Sequence, residues 1–250
     1  MNTDLQKASM WKRISAWLFD TILLVSVVVL IAYGLSGVLG YNNYSDQVTA
    51  AYEKYQIQYN IDFDRKEAPE DADPQEKEDY PVRYAQADAA LKSDEEAVRA
   101  LGMTNSLILL IPTLSLFGAM LLMEFVIPLF LKNGQTIGKK IFSLGVIRID
   151  AVKITPLQLF VRTILSKYTV CLMLPLYMIV LGVVGIAVAL GMLLLQLLCP
   201  LINHDRRGLH DLLSGTVVVD LPSQRVFNCA DDRTDYIKKV HAERASRQDY

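Results

Sequence analysis

The chain has 250 residues, 52% of them hydrophobic, with a formal net charge of −2 and three cysteines. So even a balance does not suit a nucleic-acid partner, and Cys171, Cys199 and Cys229 show neither a CxxC pair nor zinc-ligand spacing, so no disulfide or structural zinc is expected. The apolar residues are bunched into long blocks instead of recurring with a period, which excludes an ordinary soluble domain.

The first block, residues 14–40, contains one charge, Asp20, and follows Lys7, Lys12 and Arg13. A helix of roughly 20 apolar residues crosses the hydrocarbon core, so the block is long enough to span. It is too long for a cleaved signal peptide, lacks a clear small-x-small site and is followed by further apolar blocks. Arg13, Ala16 and Asp20 fall on one helix face, with Asp20 about 10 Å deeper than Arg13. An ionised carboxylate facing lipid costs at least ~2.5 kcal/mol, so Asp20 should face protein, water or a cation. Both a structural hydrogen bond and an ion or proton site satisfy that demand.

Residues 41–104 form an acidic insertion. Between Tyr41 and Asn105 there are fifteen Asp/Glu and seven Lys/Arg, a balance of −8, which leaves +6 on the rest of the chain. The compositions of 49–63 and 84–102 favour helices, and the proline-bearing stretch 67–81 reads as a solvated loop between them. A surface that collects cations or binds a partner is the sharper reading of the same charge.

A second block, 105–131, also has one charge, Glu124, and a third, 168–202, has none. Basic residues gather at 132–153 (Lys132, Lys139, Lys140, Arg148, Lys153) and again at Arg206 and Arg207. By the positive-inside tendency, these flanks and the N-terminus are cytoplasmic and the acidic insertion is outside. Two cytoplasmic flanks require an even number of crossings between them, so 163–202 should supply two legs turned near Gly182–Gly185. One long tilted helix is the alternative, giving three spans instead of four. On the inner side, 144–155 reads as a small β-hairpin with 215–219 nearby, and 233–247 as a helix or disordered end.

The stretch 134–140, GQTIGKK, suggests a phosphate loop but lacks the spacing of one. Only three residues separate Gly134 from Gly138-Lys139, and Lys140 stands where a magnesium-binding hydroxyl would be needed. Elsewhere, Asp20 lies seven residues after Arg13 in an outward helix, and Glu124 eight before Lys132 in an inward one. The two acids therefore sit at matching depth, and as neighbours they would share a proton or offer hard oxygen ligands to a cation. His204, Asp205, His210 and Asp211 suit ion pairs and caps better than a metal centre. No hydrolase motif is present, so neither an enzyme nor a cofactor is expected.

Arg13 and Asp20 in the first span, with Asp211 in LHDLLSGTVVV, resemble the pattern that names the RDD family of bacterial membrane proteins. GQTIGKKIFSLGVIRI resembles that family's segment after its second span, and Arg162 in FVRTIL fits the arginine that tends to follow. The resemblance covers 11–40 and 105–220; the long insertion departs from the short outer loop of typical members. It implies a helical membrane fold, and a role as a Na⁺(Li⁺, K⁺)/H⁺ antiporter has been proposed for some members. With the topology, it makes the 134–140 loop a turn at the inner membrane surface. Gly134 and Gly138 would permit the bend beside Thr136, and Lys139 and Lys140 would meet lipid phosphates at roughly 1 kcal/mol each.

The expected fold class is an all-α membrane protein: a bundle of four, alternatively three, transmembrane helices with a small cytoplasmic β-hairpin and an extracytoplasmic acidic helical insertion. Its parts are residues 1–40, the insertion 41–104, the remaining membrane domain 105–220 and the polar tail 221–250. The expected function is transport of a monovalent cation, a proton or a small solute through Asp20 and Glu124, with Arg13, Asp20 and Asp211 as motif and ion-pair residues. Four short spans enclose little volume, so a homo-oligomer in the bilayer is expected. The rival is a non-transporting scaffold that binds proteins through its insertion or tail.

Overall fold

The computed structural model describes residues 5–69, 72–168, 181–202 and 207–248. Among the described residues, two helices are long and apolar enough to cross a membrane. The first, α1 (Met10–Val38), has a mean hydropathy of 2.4 over its best window. The second runs from Glu95 to Phe130 with 2.2; it begins as α4 (Glu95–Met120) and passes through a π-helical segment, Leu121–Val126, into a last turn, Ile127–Phe130. Val25, Val29 and Leu30 on α1 are more than half exposed, as lipid-facing side chains are and core side chains are not.

The chain divides into two units. One comprises residues 28–116 and the other residues 1–27 with 117–250. In the first, α2 (Tyr41–Tyr59) and α3 (Pro74–Ser93) pack against each other. Ile61, Tyr80 and Ala87 form its core, bordered by Phe63 and Tyr84. The Tyr80 hydroxyl accepts from the Asp62 amide at 3.0 Å and faces the Arg65 carbonyl at 3.0 Å, so the 60–65 turn is tied to α3. The acidic composition therefore clothes an aromatic core.

The helix boundaries differ from those expected. The supposed loop 67–81 contains the start of α3, because Asp73 caps the Glu76 amide at 2.7 Å and Pro74 occupies the first turn. Pro81 sits inside the helix on an exposed position. The second expected helix, 84–102, is two helices. Asp94 adopts extended dihedrals (φ −78°, ψ 102°), and its side chain then caps α4 by accepting from the Glu96 and Ala97 amides at 3.1 Å.

In the other unit, β1 (Leu144–Arg148) pairs antiparallel with β2 (Thr216–Asp220), with Val146 opposite Val218. The local hairpin expected over 144–155 shrinks to an isolated bridge between Ile147 and Lys153. The distant strand wins because both sheet faces are covered. Val146 and Val218 pack with Ala8 and Ala16 on one side, and Ile147, Val217 and Val219 with Ala151 on the other. A continuous run such as TVVVD suits burial on both faces. The N-terminal arm lies along β2 through a Lys7–Val219 bridge and an Ala8 amide bond to Val218 O (3.4 Å). Three short helices complete the unit: α5 (Ile137–Ile141), α6 (Pro156–Phe160), which continues as a π-helix to Tyr168, and α8 (Leu209–Ser214). Between them in sequence, α7 (Val183–Ile202) is apolar apart from Gln196, and the tail forms α9 (Ala230–Gln248). Cys171 lies outside the described residues; Cys199 and Cys229 are free.

Candidate functional site

The N-terminal end of α1 presents Arg13, Ala16 and Asp20 along one face, and two polar clusters form against that face. The first surrounds Asp20, which is 9% exposed. The Thr136 hydroxyl donates to Asp20 Oδ2 at 2.5 Å, and the Gly138 amide donates to Oδ1 at 2.7 Å. Thr136 is also the N-cap of α5. Its Oγ1 accepts from the Lys139 amide at 3.4 Å and lies 3.3 Å from Lys139 Nζ, leaving its single proton for the carboxylate. The glycine-rich loop therefore does hold an acidic group, the Asp20 carboxyl of the chain itself.

The two glycines have different reasons. Gly134 has φ +58°, a left-handed conformation that permits the turn. Gly138 lacks a positive φ, and its role is closeness, not bending. A Cβ there would stand 2.5 Å from the Ala16 carbonyl oxygen and 2.9 Å from Asp20 Cγ. Lys139 is half-buried beside Thr136, whereas Lys140 is exposed.

The second cluster centres on Asp211, fully buried on α8. Arg162, itself 7% exposed, pairs with Oδ1 through Nη1, which also donates to Thr216 Oγ1 at 2.8 Å. On the other side, Arg13 Nη2 lies 3.7 Å from Oδ2, His210 Nε2 3.6 Å, and the Gly208 amide donates at 3.2 Å. Burial by itself would raise this carboxyl. Arg162 foremost, then His210, Arg13 and the Gly208 amide outweigh it and hold the pKa at about 2.

The structure thus brings Arg13 to Asp211 and Asp20 to the 136–138 loop. Glu124 is half-buried in the π-helical segment, and its carbonyl accepts from the Thr163 hydroxyl at 3.2 Å. A π-helical turn rests against a second one there, since Thr163 belongs to Val161–Tyr168. In the sequence Asp211 stands beside Arg206 and Arg207 and is matched with Arg13, and Thr136 reads as part of a turn; the Arg162–Asp211 pair and the Thr136–Asp20 bond are not expected. The available signals were a lone arginine in an apolar stretch, FVRTIL, and a threonine three residues before Lys139, the N-cap spacing. His204 and Asp205 lie outside the described residues, among which no cluster of three or more metal-ligating side chains occurs.

A model of the RDD family matches residues 7–215 of the chain. Neither a curated protein nor a solved structure matches it.

Proposed function

The chain belongs to the RDD family, and from that premise we propose a multi-pass membrane protein that moves a monovalent cation, a proton or a small solute by way of Asp20 and Glu124. The observation that carries this reading is the setting of Asp20. It is a buried carboxylate within an apolar span, and both hydrogen bonds described for it come from neutral donors, Thr136 and Gly138. Such an acid can exchange a proton for a cation without first breaking an ion pair. Glu124 on the second span supplies the other oxygen ligands of the proposed site. Flux of radioactive sodium into liposomes under a pH gradient tests this. Wild type should transport, and Asp20→Asn and Glu124→Gln should not; full flux in both variants would end the proposal.

The proposed topology has four spans, with both termini and the 134–140 loop inside and residues 41–104 outside. Its support is a break at Gly182 (φ +56°), followed at once by the 20-residue apolar α7. The preceding residues 169–180 lie outside the described part. Impermeant thiol reagents applied from outside should label a cysteine placed at Asp73 and miss one at Ser246. Labelled Ser246 would favour three spans.

A second reading, a scaffold binding proteins through its insertion or tail, draws on the same joint. Gly138 packs so closely on α1 that the contact suits a fixed hinge-point as well as a site. Wild-type liposomes without flux would favour it.

A further inference from the structure

Between α2 and the first turns of α4 lies an open cleft of about 630 Å³, within the usual size range of small-molecule sites. Its polar lining is Tyr44, Gln47 and Lys54 from α2, with Asp94, Glu96 and Arg99 from the start of α4. The rest is Ala50, Ala51 and Ala97, whose methyl groups are too short to fill the gap between the helices.

One end of the cleft is fixed by Asp94. It accepts from the Tyr55 hydroxyl at 2.9 Å and from Lys54 Nζ at 3.4 Å while capping α4. The other polar side chains are uncommitted. Tyr44, Gln47, Glu96 and Arg99 make no side-chain hydrogen bond or ion pair among the described residues, and Glu96 and Arg99 are exposed.

We propose that this cleft binds a small zwitterionic solute of the amino-acid class, its carboxylate on Arg99 and Lys54 and its ammonium on Glu96. The surrounding segment selects for that class. Fifteen acidic against seven basic residues repel a free anion, and the cleft pairs two cations, Lys54 and Arg99, with two carboxylates, Asp94 and Glu96, so a solute of one sign leaves half of them unmatched. A solute carrying both charges escapes both penalties. Tyr44 and Gln47 offer hydrogen bonds to the remainder of the molecule.

The test is calorimetric titration of the purified full-length protein in detergent with glycine, L-alanine and L-glutamine, using acetate and methylamine as single-charge controls. Saturable binding is expected for at least one amino acid, and neither control should reproduce it. Arg99→Gln and Glu96→Gln should each weaken it about tenfold or more, the loss of one charge-assisted contact. Asp20→Asn should leave it unchanged, so the cleft stands or falls separately from the transport reading. No saturable heat with any of the three amino acids overturns the proposal. So does undiminished affinity in both cleft variants, or acetate binding as tightly as glycine.

Discussion

Asp20 and Asp211 are both buried acids at one face of α1, the first carried by the helix and the second packed against it, yet their partners are of opposite kinds. Around Asp20 the described partners are a hydroxyl and a backbone amide. Around Asp211 stand two guanidiniums, an imidazole and an amide. The first arrangement places only neutral donors on the carboxyl. The second locks the charge in, because protonating Asp211 would leave Arg162 buried without a counter-ion. The two acids are therefore distinguished by their partners, although both are buried.

The largest effect that sharpens this comparison is expected at Arg162. Arg162→Met leaves Asp211 buried and uncompensated and should cost about 3–5 kcal/mol, visible as a large fall in melting temperature in detergent. Arg13→Met should cost about 1 kcal/mol or less, because Arg13 is more exposed (16% against 8% for the side chains) and stands 3.7 Å from the carboxylate. Joining Arg162→Met to Asp211→Leu should restore part of the loss. Equal losses at the two arginines would abolish the distinction between anchor and neighbour.

At the other acid, Gly138→Ala should be the next most damaging change, at about 1–3 kcal/mol, since the added methyl collides with backbone oxygen. Gly134→Ala meets a movable side-chain methyl of Ile154 at 2.9 Å but also carries the strain of a positive φ. A Gly138→Ala protein as stable as wild type would mean that α1 and the loop are not in close contact.

The smallest effect is one of pH, absent under neutral conditions. The Asp211 carboxyl is depressed in the folded state to about 2 from an ordinary 3.8. Its stabilisation is thus complete above about pH 4 and is lost as pH falls through the folded value. Wild-type melting temperature should decline from about pH 4 towards pH 2, and Asp211→Asn should start lower without that additional decline. A parallel decline in both would assign acid sensitivity to other carboxylates.

The amino-acid sequence by itself determined the membrane character, the acidic nature of 41–104 and the alignment of Arg13 with Asp20. Each follows from local quantities: apolar run length, charge count and the period of a helix. It also carried the family pattern, because those motifs are contiguous short stretches. What the tertiary structure decided are the pairings between distant segments. Thr136 reaches Asp20 across 116 positions, Arg162 reaches Asp211 across 49, and β1 chooses a strand some 70 residues away over its own hairpin. No local period encodes such choices. They arise because a buried carboxylate must find donors and a two-faced strand must cover both faces, and only the folded chain shows which segments come within reach.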